Sequence, residues 1–193
     1  MYVILDNGHG INTPGKRSPL WSNGKQLLEW EFNRDIVKRI SEKLNAYNIE
    51  YAIIVPEEKD VYLTTRARRA NEIYKQRRDA IYISIHANAG GGSGWECFTS
   101  PGKTKSDQIA EIFYQTAEEY FRGWNIRKDK SDGDSDKESD FTVLTATHCP
   151  AILTENFFMD TYKDCQFILS EEGRDLIAEM HVAAIIKCKD ELG

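Results

Sequence analysis

Tyr2-Val-Ile-Leu-Asp-Asn-Gly-His-Gly10 opens the chain, and Ile81-Tyr-Ile-Ser-Ile-His-Ala-Asn88 repeats its design further on. Each is a short apolar run of strand length that leads into a histidine. Runs that are apolar at successive positions suit strands buried on both faces, as in a parallel sheet covered by helices. His9 and His86 then stand at the ends of two buried strands. That edge is where open α/β sheets place their ligand sites.

Working outward, apolar runs and helical patterns alternate. Leu27 to Tyr47 carries Leu28, Phe32, Ile36, Ile40 and Leu44, a spacing of four that marks one helix face. Tyr51 to Val55 reads as a strand closed by Pro56, Leu63 to Gln76 as a helix and Ala80 to Ile85 as a strand. A glycine-rich turn from Gly90 to Gly94 leads to a strand over Trp95 to Thr99, and Ser106 to Phe121 reads as a helix. Short strands are expected at Phe141 to Leu144 and Ala151 to Thr154, and a helix over Glu171 to Lys189. The alternation predicts a single α/β domain with a largely parallel or mixed sheet and helices on both faces.

Arg127 to Asp140 interrupts this order. It is polar and holds no large apolar side chain, so it is expected as a mobile surface insert without a packed core. Asp132, Asp134 and Asp136 imitate the start of a calcium loop. The glycine is misplaced, at Gly133, and Val143 stands where the closing glutamate belongs.

The 193 residues suit one domain with a sizeable core. A net charge of −6 gives no bulk attraction for nucleic acid, and none is expected as a partner. The cluster Arg66, Arg68, Arg69, Lys75, Arg77 and Arg78 lies on one predicted helix and reads as a solvated face. No stretch is long and apolar enough to span a membrane. The chain starts directly in a strand, so no signal peptide is visible. The four cysteines form no CxxC pair and read as buried thiols; Cys149 beside His148 is a weak nucleophile candidate.

Two imidazoles at one sheet edge need a carboxylate to make a three-ligand zinc site with a fourth position for water. Glu29 and Glu31 both qualify, at the start of the first helix, where the helix dipole favours an anion. Glu29 shares a face with Asn33 one turn on, and Glu31 is the alternative. Metal-assisted hydrolysis also needs a carboxylate outside the ligand set to move a proton. Glu155 ends the apolar run Pro150-Ala-Ile-Leu-Thr-Glu155, where a charge is costly to bury without a task or a partner.

These residues resemble a known family. Leu5-Asp-Asn-Gly-His-Gly10, Glu29 with Asn33, Leu63-Thr-Thr-Arg66 with Ala70-Asn71, Ser84-Ile-His-Ala-Asn88, Gly94-Trp-Glu96 and Pro150-Ala-Ile-Leu-Thr-Glu155 stand in the order seen in zinc-dependent N-acetylmuramoyl-L-alanine amidases of the amidase-3 group. The resemblance implies a mixed, mostly parallel sheet, commonly six-stranded, between helices. It implies one zinc ion on His9, Glu29 and His86, with Glu155 as catalytic acid and base. The implied substrate is peptidoglycan, cut between N-acetylmuramic acid and L-alanine, as by an endolysin or autolysin acting at the cell wall. Asn88, Trp30 and Arg66 are expected to touch substrate, and a monomer is expected. Trp21, Trp95 and Tyr82 are further aromatic candidates for sugar rings. Two stretches depart from the family. The loop after the first histidine, Ile11 to Arg17, lacks the usual glycine-rich pattern, and Asn156-Phe157-Phe158 replaces a Gly-Phe; both are expected to affect substrate contacts. The rival readings are a zinc peptidase on the stem peptide, a metal-free glycosidase and a non-catalytic wall-binding module.

Overall fold

The computed structural model describes residues 1–131 and 133–192. The elements run β1 (Tyr2–Asn7), α1 (Glu29–Ala46), β2 (Tyr51–Ile53), α2 (Leu63–Gln76), β3 (Ala80–Asn88), β4 (Trp95–Thr99), α3 (Lys105–Tyr120), β5 (Lys137–Glu138), α4 (Thr142–Thr145), β6 (Ala151–Phe158), α5 (Tyr162–Leu169) and α6 (Glu171–Leu192). The strands form one six-stranded sheet in the order β2-β1-β3-β6-β4-β5. Every pairing is parallel except β4 with β6.

Chirality explains how the layers arise. A β-helix-β crossover is right-handed, so connections that step in opposite directions along a sheet put their helices on opposite faces. β1 leads through α1 to β2 on one side; β2 leads through α2 back past β1 to β3 on the other. The order therefore reverses between β1 and β3, which opens a crevice at their carboxyl ends. His9 and His86 stand at that crevice.

Alternation along the strands divides the core. Val3, Leu5, Ile81, Ile83, Ile85 and Ile152 pack with Phe32, Ile36, Phe113, Ile177 and Ala184 of α1, α3 and α6. Ile4, Tyr82, Ala151 and Leu153 pack on the other face with Ala70 of α2 and Val143 and Leu144 of α4. The same parity sends Asp6, Ser84, His86 and Glu155 to the α2 side.

Three expectations need correction. Phe141 to Leu144 is not a strand: Leu144 and Thr145 both donate to the Phe141 carbonyl, and residues 142–145 make one helical turn. A short apolar run cannot by itself distinguish strand from helix. The insert is no structureless loop. It adds β5 to the sheet edge, and Ser135 and Asp136 are buried, with Asp136 accepting from Thr99 Oγ1 at 2.5 Å. Backbone pairing and polar contacts order it where apolar packing has nothing to offer. Of its three loop aspartates, Asp132 lies outside the described residues. The basic cluster is not uniformly solvated either, because Arg66 is buried under the site. α5 had no counterpart in the sequence reading.

Candidate metal centre and active site

Glu29 is the first residue of α1, and its N–H donates to the Lys16 carbonyl at 3.1 Å. Its carboxylate is 1% exposed and sits between two imidazoles. His9 Nε2 lies 3.2 Å from Glu29 Oε1, and His86 Nδ1 lies 3.1 Å from the same oxygen. The three donor atoms lie within 4.8 Å of one another, a group suited to hold a metal ion. Glu29 Oε2 has no hydrogen-bond partner among the described residues. Glu31, the alternative carboxylate, faces away and pairs with Arg174 at 2.9 Å.

Local backbone shapes this cluster. His9 has φ 62°, in the left-handed region, a strain of order 1–3 kcal/mol for a residue with a side chain. Its two glycines are required by space. A Cβ on Gly8 would meet the His86 ring at 2.1–2.6 Å, and one on Gly10 would meet the Asp60 backbone at 2.0 Å. Below the site, Asp6 takes hydrogen bonds from Arg66, Tyr82 and Ser84. Asn33 Nδ2 holds the Gly8 carbonyl at 2.9 Å, fastening α1 to the histidine loop.

Register brings Glu155 alongside the cluster. His86 on β3 is opposite Glu155 on β6, and Glu155 is opposite Glu96 on β4, so the three side chains share one face. Glu155 Oε2 is buried without a hydrogen-bond partner. Burial pushes the Glu155 carboxyl up to about 8; His86 and Lys16 pull it down, while Glu29 and Glu96 push it up. Burial also opposes ionisation of Glu29, but hydrogen bonds from His86 and His9 hold it well below the usual carboxylate range. His86 loses basicity through burial and regains more from Glu29, ending raised; at His9 burial wins and lowers it. Just past Glu155 the β3–β6 register shifts, and Phe157 has φ 66°. This bulge turns β6 away from the ladder at the site.

The remaining predicted residues lie as follows. Arg66, expected at the substrate, is 1% exposed and donates to Val61, Asn7 and His9 carbonyls and to Asp6 and Asp60. A guanidinium has five N–H donors, so little capacity is left for a ligand, and Arg66 is a brace under the site. Asn88 donates to Glu96 Oε1 and accepts from Ala89 N. Trp30 is half-buried, with the Arg34 guanidinium 5.5 Å from its ring centre. Trp95 and Tyr82 are core residues, and Trp21 packs edge-on against Tyr162. Asn156, in a stretch expected to affect substrate contacts, is wholly buried; it donates to the His86 carbonyl and accepts from Trp95 Nε1. Cys149 is a core thiol pushed up to about 12 by burial, and His148 is exposed.

Sequence reasoning missed Asp6, Lys16 and Glu96 as parts of the site. Asp6 carried a signal, being a charge inside an apolar run. Glu96 is buried and bound by Arg127 and Lys137 of the insert, partners that are remote in sequence. The cavity at the cluster measures about 230 Å³ and is lined by His9, Lys16, His86, Phe141, Leu153 and Glu155 among others. A larger groove of about 660 Å³ at the β2 edge holds no comparable set of metal ligands.

A sheet-edge crevice that groups two histidines and a buried carboxylate as possible metal donors, with a second buried carboxylate beside them, is the arrangement of an α/β hydrolase with a candidate metal site. The family model described as N-acetylmuramoyl-L-alanine amidase matches residues 3–187, and the chain belongs to that family. An endolysin of Bacillus phage SPP1 is 29% identical over 99% of this chain and 68% of its own length. The N-acetylmuramoyl-L-alanine amidase CwlM of Bacillus licheniformis is 28% identical over 96% of this chain and 67% of its own. The crystal structure of an N-acetylmuramoyl-L-alanine amidase from Clostridium difficile 630 superposes with a TM-score of 0.82 at 26% identity, covering 100% of this chain and 98% of that one.

Proposed function

We propose that this chain hydrolyses the amide between N-acetylmuramic acid and L-alanine in peptidoglycan, using one zinc ion held by His9, Glu29 and His86. The observation that carries the reading is the grouping of these three donors at one sheet edge, with Glu155 placed opposite His86 by strand register. Zinc fits the donor set. At Zn–N and Zn–O distances of 2.0–2.2 Å, tetrahedral ligands stand roughly 3.3 Å apart, close to the 3.1 and 3.2 Å between Glu29 Oε1 and the two imidazoles. Glu29 Oε2 and Glu155 Oε2 are buried oxygens with no hydrogen-bond partner among the described residues, as a polar occupant of the cleft would leave them.

When bound, zinc supplies a Lewis acid and lowers the pKa of a water. The chain does the rest. His9, Glu29 and His86 fix the geometry, with Arg66 and Asn156 holding the histidine carbonyls behind them. Glu155 accepts a proton at its carboxylate as water adds to the lactyl carbonyl carbon. It returns that proton to the alanine nitrogen as the C–N bond breaks. Trp30, half-buried and next to Glu29 in sequence, is the candidate platform for the sugar, and Asn88 orients Glu96, which lies opposite Glu155 in the sheet. Residues 1–193 act as one catalytic unit with the 127–140 insert at its edge, working at the cell wall as a monomer. No helix among the described residues is long and apolar enough to cross a membrane.

Digestion of purified sacculi tests this. The expected products carry a free L-alanine amine and intact sugars. Shortened stem peptides would indicate a peptidase, and new reducing ends a glycosidase. Bound sacculi with no release would indicate a binding module.

A further inference from the structure

Lys16 lines the cleft beside His9, His86 and Glu155, and its side chain is 43% exposed. Its Nζ lies 3.9 Å from Glu29 Oε2, an ion-pair distance, and no hydrogen bond holds it among the described residues. The other cation lining the cleft, Arg66, is consumed by its own acceptors. Asp6, Asp60 and Glu155 are the carboxylates of the wall, and Leu63, Phe141, Val143 and Leu153 make much of the rest apolar. Lys16 is thus the lining cation with capacity for an anionic ligand.

Its backbone is held firmly. The Lys16 carbonyl accepts from Glu29 N, Arg17 bridges Leu28, and Ser18 N donates to the Leu27 carbonyl. The loop Ile11–Arg17, which departs from the family pattern, is therefore clipped to the start of α1 at the very residue that carries the metal-ligating carboxylate. A tethered backbone with a flexible ammonium at a cleft mouth suits recognition of a ligand carboxylate. A cation on Glu29 would take up the charge that Lys16 now faces and turn the ammonium toward an incoming anion.

We propose that Lys16 binds the α-carboxylate of the second stem residue, so that the enzyme prefers a free glutamate there over its amide. The inference rests on the amidase reading above. Its chemistry fits the distances: that carboxylate lies one residue beyond the alanine, and successive Cα atoms are about 3.8 Å apart. The Lys16 ammonium stands 3.9 Å from Glu29 Oε2 and lines the same cleft.

Muramyl-L-alanyl-D-glutamate and muramyl-L-alanyl-D-isoglutamine differ only in this group and serve as the pair of probes. Calorimetry on the zinc-loaded E155Q protein should show the free acid binding about three- to tenfold tighter, the scale of a half-exposed ion pair. Adding K16M should bring the ratio of the two dissociation constants to about one. In the otherwise unchanged enzyme, K16M should collapse the same ratio in kcat/KM, through KM. Equal affinity of E155Q for both probes, or a ratio that survives K16M at full zinc content, overturns the proposal. Cleavage of both probes without discrimination would leave the amidase reading intact while refuting Lys16. Failure to free the L-alanine amine of the peptide from either probe or from sacculi would refute the amidase reading itself.

Discussion

Glu155, the proposed proton carrier, differs in its environment from Glu29, the proposed ligand. Both are buried, but Glu29 is held ionised by two imidazoles, whereas Glu155 has an unpartnered oxygen and a carboxyl pushed up to about 8. Two carboxylates whose environments push their pKa values apart mark different roles. The expected outcome for E155Q is unchanged zinc content by elemental analysis with turnover reduced by about 10²–10⁴-fold. H9A should instead lose zinc. Gly8 belongs to the same scale. A methyl group there overlaps the His86 ring, so G8A should displace that imidazole and lower zinc affinity while costing about 1–3 kcal/mol in urea denaturation. A G8A protein with normal zinc affinity would show that the ring has room to move. The histidines and Glu155 were legible in sequence because each ends an apolar run. Arg66 was misread because a helical arginine carries no local sign of the aspartate that buries it.

Among elements, β6 and α6 are joined by a polar chain that reaches the site. His181 Nδ1 faces the Ile177 carbonyl at 2.8 Å, so its Nε2 accepts from Thr154 Oγ1 at 3.0 Å. Asn156 donates to Thr154 Oγ1 and to the His86 carbonyl. His181 is wholly buried, and burial pushes its pKa down to about 4. The unfolded state therefore takes up a proton at pH values where the native state does not, and stability falls as pH drops from about 6.5 toward 4. The difference corresponds to about 3 kcal/mol at most. Replacing His181 by Met should flatten this part of the pH dependence of the urea midpoint relative to wild type, at the cost of leaving Thr154 without its imidazole. An equally steep profile in the variant would assign the acid sensitivity elsewhere. Helices α1 and α2 were readable from their periodicity. α4 was not, because one turn is too short to show a period, and β5 was not, because two polar residues acquire strand geometry only from β4.

For the molecule as a whole, the proposed metal centre joins elements that are distant in the chain: the loop after β1, the start of α1 and the end of β3. A ligand that binds only the folded state stabilises it by mass action, by about 2.7 kcal/mol at a hundredfold excess over Kd. For a chain of this size that is a rise of roughly 5–10 °C in Tm. Zinc should raise the Tm of the wild-type protein by this amount, a chelator should reverse it, and H9A should show no rise. A zinc-independent Tm would argue against a resident ion on these three residues. What the sequence by itself determined was the α/β class, the strand-end histidines and the family, because strand burial and motif order are local properties written along the chain. Only the tertiary structure decided that Glu29 and not Glu31 faces the imidazoles, that Arg66 and Asn156 serve as braces, and that Lys16 overlooks the cleft. Those outcomes depend on crossover handedness and strand register, which bring together side chains that no local pattern connects.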